Sequence, residues 1–196
     1  MTTPLPSLRE RSKAKRRKAI QRAALQLFAE RGYDGATIAE IADVAEVAPR
    51  TVSMYFPTKL DIAMSLSGDI AERLTATFRR HPELPFTEVV DRWLAGEAEG
   101  MDPDLAVLTT AMFDANPGLR AVSTTQVSDA AQVGWSALTA QIGRAPDDPM
   151  IPIVGAAVGG ALAQYLATVM KSGPTPGLHD PFMRYLRAII SAATSS

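Results

Sequence analysis

Cysteine is absent from the 196 residues, which excludes disulfides, thiolate catalysis and cysteine-ligated zinc. Histidine occurs twice, at His81 and His179, far apart in the chain and each near a proline. A histidine-rich metal site is therefore not expected, and no metal and no cofactor is assigned. No pair of carboxylates stands at a helical spacing with a base or metal partner, so an enzyme is not expected. The first 18 residues, MTTPLPSLRERSKAKRRK, lack an apolar core segment, so they do not read as a secretory signal and a cytoplasmic protein is expected. No run of alternating β-branched residues with hairpin turns appears, which leaves an all-α reading of about nine helices. A hydrophobic content of 46% with 21% charge fits a globular chain long enough to bury a core.

The net charge of −1 hides an uneven distribution. Residues 1–59 hold 11 Lys and Arg against 6 Asp and Glu, whereas residues 60–196 hold 9 against 15. A basic head on an acidic body is the electrostatic footprint of a polyanion-binding domain.

The head carries a helix pattern. Ile20, Ala24, Leu27 and Phe28 share one helical face, and Gly32 follows at the position where helices commonly end. Thr37 with Glu40 forms a capping-box signature for a second helix, with Ile38, Ile41 and Ala42 inward. After a gap of about three residues, Pro49 opens a third helix that carries Val52 inward and ends at Pro57. Two short helices across a tight turn make a helix-turn-helix, and the outward side of the second offers Arg50, Thr51, Ser53 and Met54 to base edges and phosphates. Thr58 with Asp61 caps a long helix expected to run to about Arg80. Further helices are expected over 87–100, 103–115, 117–142, from 149 or 152 to 171, and 181–193. The domain division is 1–57 for the head and 58–196 for the helical body. Lys15, Arg16 and Arg17 lie in a charged run that reads as a possible DNA arm or as a solvated helix start.

Residues 28–45 (FAERGYDGATIAEIADVA), then Thr51-Val52 and the YFPTK of residues 55–59, resemble the DNA-binding domain of the TetR family of transcriptional repressors over roughly residues 15–62. The resemblance implies a three-helix head, a C-terminal domain for ligand binding and dimerisation, and a palindromic operator released by a small molecule. It maps phosphate contacts onto Thr37, Tyr55 and Lys59, and base reading onto Arg50, Thr51 and Ser53. It implies a dimeric repressor; a corepressor-type regulator or an activator is the alternative. Two positions depart from the family pattern: Glu46 stands at the turn position usually filled by glycine, and Ala48 at the usual Ser or Thr cap. Glu46 adopts a left-handed conformation, or the turn differs.

In the body, Trp93, Met112, Phe113, Gln132, Trp135 and Tyr165 are either core or the lining of a pocket for an apolar or aromatic effector. Residues 151–170 approach the length of a membrane span, but Gln164 interrupts them and prolines bracket them. The preferred reading is a homodimer interface without membrane contact. Gly155, Gly159 and Ala163 allow close helix approach, and Phe182, Tyr185, Leu186 and Ile189 complete a four-helix contact.

Overall fold

A computed structural model describes residues 7–123, 133–145, 147–173, 175 and 177–194. These residues form helices and connecting turns, with no strand among them. The helices are α1 (Leu8–Arg31), α2 (Ile38–Val44), α3 (Pro49–Tyr55), α4 (Lys59–Ala63), α5 (Ser65–Arg80), α6 (Phe86–Gly100), α7 (Pro103–Ala115), α8 (Trp135–Ile142), α9 (Met150–Ser172) and α10 (His179–Ala193). Residues 117–123 are also helical. The chain divides into two compact units, Met1–Ser65 with Val107–Arg120, and Leu66–Ala106 with Ala121–Ser196.

In the first unit, the charged run is helical from Leu8. The Ser7 hydroxyl accepts from the Glu10 backbone N–H, and the Glu10 carboxylate accepts from the Ser7 N–H. α1 buries Ile20, Ala23, Ala24, Leu25, Leu27 and Phe28 and packs on α2 and α4. Burying each large side chain of this group contributes about 1.5–3 kcal/mol. α2 packs on α3, with Ile41 and Ala42 of α2 and Val52 of α3 fully buried. Gly35 has a backbone reason to be glycine, because a Cβ there would run into the Arg31 carbonyl oxygen.

The long helix expected from Thr58 to Arg80 is two helices, α4 and α5, which meet at Met64. Neither proline nor glycine stands at the break. Instead the buried Ser65 hydroxyl donates to the Ile62 carbonyl (2.7 Å) and accepts from Gln21 Nε2 (2.9 Å). A hydroxyl that bonds back to its own preceding turn bends a helix locally. That pairing with a residue 44 positions earlier is invisible to a local reading.

In the second unit the core is built from α5, α6, α8, α9 and α10, with Leu74, Phe78, Phe86, Trp93, Leu138 and Ile151 among its members. α10 packs on α6, α8 and α9. Two aromatic rings lie directly on glycines: Phe78 against Gly134, and Trp135 against Gly155. The single helix expected over 117–142 is not continuous through its described parts, since residues 133–134 form a turn before α8 begins at Trp135. Gln132 lies outside the described residues.

Candidate nucleic-acid interface

The interface candidates rest on helix starts at Thr37, Ala48 and Thr58, of which Thr37 and Thr58 carry side-chain caps. Thr37 caps α2: its hydroxyl accepts from the Glu40 N–H (3.2 Å), and Glu40 Oε2 accepts from the Thr37 N–H (2.9 Å). Arg31 also reaches Glu40, at 2.9 Å. The Thr37 backbone N–H, followed by its hydroxyl, holds the Glu40 carboxyl below its ordinary range. The cap is therefore complete at neutral pH, and its contribution is lost as pH falls through that lowered value.

The turn between α2 and α3 resolves the Glu46 question. Glu46 has φ 53, the left-handed conformation. Its N–H donates to the Asp43 carbonyl (3.1 Å) and the Val47 N–H donates to the Ala42 carbonyl (2.9 Å). These are the two bonds of a Schellman helix end, made here with a glutamate where glycine is favoured. Ala48 has the extended backbone of an N-cap (φ −71, ψ 147) but no side-chain acceptor. Both features leave stability unrealised. Glu46→Gly and Ala48→Ser are each expected to stabilise the head by about 1 kcal/mol, read as a rise in denaturation midpoint. An unchanged midpoint in both variants would show that the turn is not strained.

α3 exposes Arg50, Ser53 and Met54, half-buries Thr51 and Tyr55, and anchors itself through Val52 with Phe56 just beyond its end. The Ser53 hydroxyl leans back to the Pro49 carbonyl at 3.5 Å. From α1, the Arg17 guanidinium sits 5.1 Å from the centre of the Phe56 ring, so this cation is drawn to the end of α3. Lys13, Lys15, Arg16 and Lys18 are exposed on the same helix.

Lys59 differs from a freely extended cation. Its ammonium donates to the carbonyls of Tyr33 (2.6 Å) and Ala36 (3.0 Å) and lies 4.3 Å from the Tyr33 ring centre. It clamps the α1–α2 turn to the first residue of α4. Asn116 holds the same turn from another side. Its Oδ1 accepts from the Tyr33 N–H (2.7 Å), while Nδ2 donates to the carbonyls of Phe28 (3.0 Å) and Met112 (2.8 Å). Read from the sequence alone, Asn116 marks only a helix boundary before Pro117. Nothing local announces partners more than 80 positions away.

The second unit distributes the other expected residues. Trp93 is 3% exposed, and its indole Nε1 is the one buried side-chain nitrogen or oxygen without a partner among the described residues. Trp135 and Tyr165 pack against the same core, half-buried. Met112 and Phe113 are buried but belong to the first unit. Tyr165 stacks on Phe182 at 4.3 Å, burial pushes its hydroxyl pKa up, and its oxygen lies 3.5 Å from His179 Nδ1. His179 Nε2 in turn meets Asp91 at 2.6 Å, and Arg187 meets the other Asp91 oxygen at 3.1 Å.

Of the expected interface residues, Tyr185 is 59% exposed and Gly159 faces open space, while Ala163, Phe182 and Ile189 are half-buried. Two need correction. Leu186 is 0% exposed and fills the core of its own unit, so it is not available to a second chain. Gly155 is covered by the Trp135 ring, so its lack of a side chain serves an intrachain contact. A groove of about 500 Å³ remains along α9 and α10, lined by Ala157, Gly160, Gln164, Tyr165, Phe182 and Tyr185 among others.

Comparison with known proteins agrees with this geometry. Residues 20–65 match the family of bacterial regulatory proteins described as tetR. The chain is similar to the transcriptional regulator TcmR of Streptomyces glaucescens, at 34% identity over 125 residues, or 59% of this chain and 55% of that protein. The match thus spans about half the length of that relative. The fold is similar to Thermus thermophilus FadR, a transcriptional repressor solved in complex with lauroyl-CoA, with a TM-score of 0.57 at 22% identity over 89% of this chain and 93% of that one. It is also similar to a transcriptional regulator of Aquifex aeolicus, with a TM-score of 0.61 at 18% identity over 89% of this chain and 99% of that one.

Proposed function

Because the chain belongs to the TetR family of bacterial transcriptional regulators, we propose that it is a homodimeric, cytoplasmic repressor that leaves a palindromic operator when a small apolar or aromatic ligand binds. The observation that carries the DNA-binding part is the outward face of α3, where Arg50 stands exposed on a helix anchored by Val52 and Phe56. In this reading Arg50, Thr51 and Ser53 read bases, Thr37, Tyr55 and Lys59 position the head on phosphates, and Lys15, Arg16 and Arg17 add contacts from α1. Residues 1–57 form the reading head, and residues 58–196 form the body that binds effector and partner.

The dimer reading draws on α9. This helix is long and apolar enough to cross a membrane by length and composition, yet only 22% of its most apolar 18-residue window is buried. A second copy laid on α9 and α10 covers that surface, with Gly159, Ala163, Phe182, Tyr185 and Ile189 at or near the contact. The effector reading draws on Trp93, Trp135 and Tyr165, with the unspent Trp93 indole N–H available to one acceptor atom of the ligand. Coupling follows the chain. α5 continues directly from α4 through Met64, and α4 is clamped to the α1–α2 turn by Lys59. A ligand that displaces α5 then tilts the head and spoils the spacing of two recognition helices that must lie roughly 34–36 Å apart.

Selection from a randomised duplex library with the full chain tests the proposal. An enriched palindrome bound by two copies is the expected result; a library that returns no preferred sequence sinks it. On the enriched duplex, Arg50→Ala is expected to lose about 1–3 kcal/mol of discrimination against a substituted base pair while keeping its affinity for unrelated DNA. Uniform weakening on all sequences would instead place Arg50 on a phosphate.

A further inference from the structure

We infer that Met54 reads the 5-methyl group of a thymine in the major groove, close to the base that Arg50 contacts. The inference rests on the DNA-binding reading above and gives one side chain of that face a defined chemical target. Met54 is 76% exposed, whereas Val52 and Phe56 on either side of it are buried at 0% and 3%. A single exposed apolar residue on a protein surface is ordinary. The position of this one is what matters. Arg50, Ser53 and Met54 stand at i, i+3 and i+4 on α3 and share one face. That face presents a guanidinium with several donors, a hydroxyl that already leans on the Pro49 carbonyl, and an unbranched apolar thioether.

The major groove offers few matches to an apolar tip. Guanine and adenine present acceptors and a donor there, cytosine presents its amino group, and thymine alone presents a methyl. An apolar tip set against the polar edges strips them of water without replacing the hydrogen bond, which is unfavourable. Against a thymine methyl it buries apolar surface on both sides. Met54 therefore selects for thymine, and against cytosine, at one position of each half-site. Four residues along a helix advance about 6 Å, one to two steps of a duplex that rises about 3.4 Å per base pair. The thymine is thus within about two base pairs of the base read by Arg50.

Deoxyuridine tests this directly, since it removes the methyl and leaves every hydrogen-bonding group in place. The duplex enriched by the full chain is resynthesised with each symmetry-related pair of thymines replaced in turn, and affinity is read by fluorescence anisotropy at fixed salt. One thymine position is expected to lose about fourfold per half-site, the fold-change that corresponds to about 0.8 kcal/mol for one buried methyl group. In Met54→Ala and Met54→Gln the same replacement is expected to change nothing. Circular dichroism and affinity for unrelated DNA confirm that both variants fold and bind. The inference is overturned if no thymine is sensitive in the parent protein, or if the sensitivity persists in both variants. A library that yields no preferred sequence overturns the DNA-reading function as well, an outcome distinct from an enriched duplex indifferent to its methyl groups.

Discussion

Lys59→Met is expected to lower the stability of the first unit by about 2–3 kcal/mol while keeping the apolar stem of the side chain. The ammonium donates to two carbonyls at 2.6 and 3.0 Å, and hydrogen bonds to a charged group contribute about 1.5–3 kcal/mol each. Removing it leaves the part-buried Tyr33 and Ala36 carbonyls to find water, which sets the value below a simple sum. Denaturant unfolding followed by circular dichroism measures the loss. DNA binding separates the two roles given to this residue. Where the third ammonium hydrogen touches a phosphate, losing it in the variant makes the slope of log affinity against log salt shallower by about 0.9 for each head. A fall in stability with an unaltered slope assigns Lys59 to the turn alone. Unaltered stability overturns the clamp.

Asn116→Ala is expected to cost a similar amount, about 2–3 kcal/mol, by a different route. Three bonds end on one amide: from the Tyr33 N–H, and to the carbonyls of Phe28 and Met112. The alanine leaves a part-buried donor and two acceptors without this partner, and an unsatisfied group of this kind costs about 1–3 kcal/mol. Amide hydrogen exchange at Tyr33 reports the change at its source, and protection there should fall more than at Val52, whose N–H is bonded to the Ala48 carbonyl at the start of α3. Equal loss of protection at both positions would mean global destabilisation rather than release of the turn. α7 enters the first unit at Val107 and carries Asn116 just past its end, so the variant also tests whether this helix, besides α4, brings the effector signal to the head. Under the proposed function, a variant that still binds its selected duplex but no longer responds to effector is the expected phenotype.

Much of the head is legible in the sequence because its determinants are local. Thr37 with Glu40 and Thr58 with Asp61 announce two capping boxes within three residues each, and both form. Glu46 announces a conflict between its side chain and the turn it occupies, and the backbone settles it in favour of the turn. The parts that are not legible depend on partners distant in the chain. Lys59 looks like an available cation until Tyr33 and Ala36 are brought beneath it. Leu186 carries the same apolar signal as Tyr185 next to it, and only packing decides that one fills the core while the other faces out. Gly155 reads as a close approach between helices, and the structure spends it on an indole ring of the same chain. The break at Met64 has no sequence signature of its own, since it follows from a serine hydroxyl and a glutamine 44 residues earlier.

The capped start of α1 changes how such a protein meets DNA before it recognises anything. Residues 8–19 precede the first fully buried residue, Ile20, and a dozen helical residues extend about 18 Å. Because Ser7 and Glu10 fix the first turn, the lysines and arginines on this segment ride on a stiff rod instead of a loose tail, and their field is aimed before contact. In the DNA-binding function proposed above, the rod would act first on capture rate and on sliding along non-specific duplex, both of which fall steeply as salt screens it. On that proposal, search speed and sequence choice would be set by different helices of one head, and each would be open to change without disturbing the other.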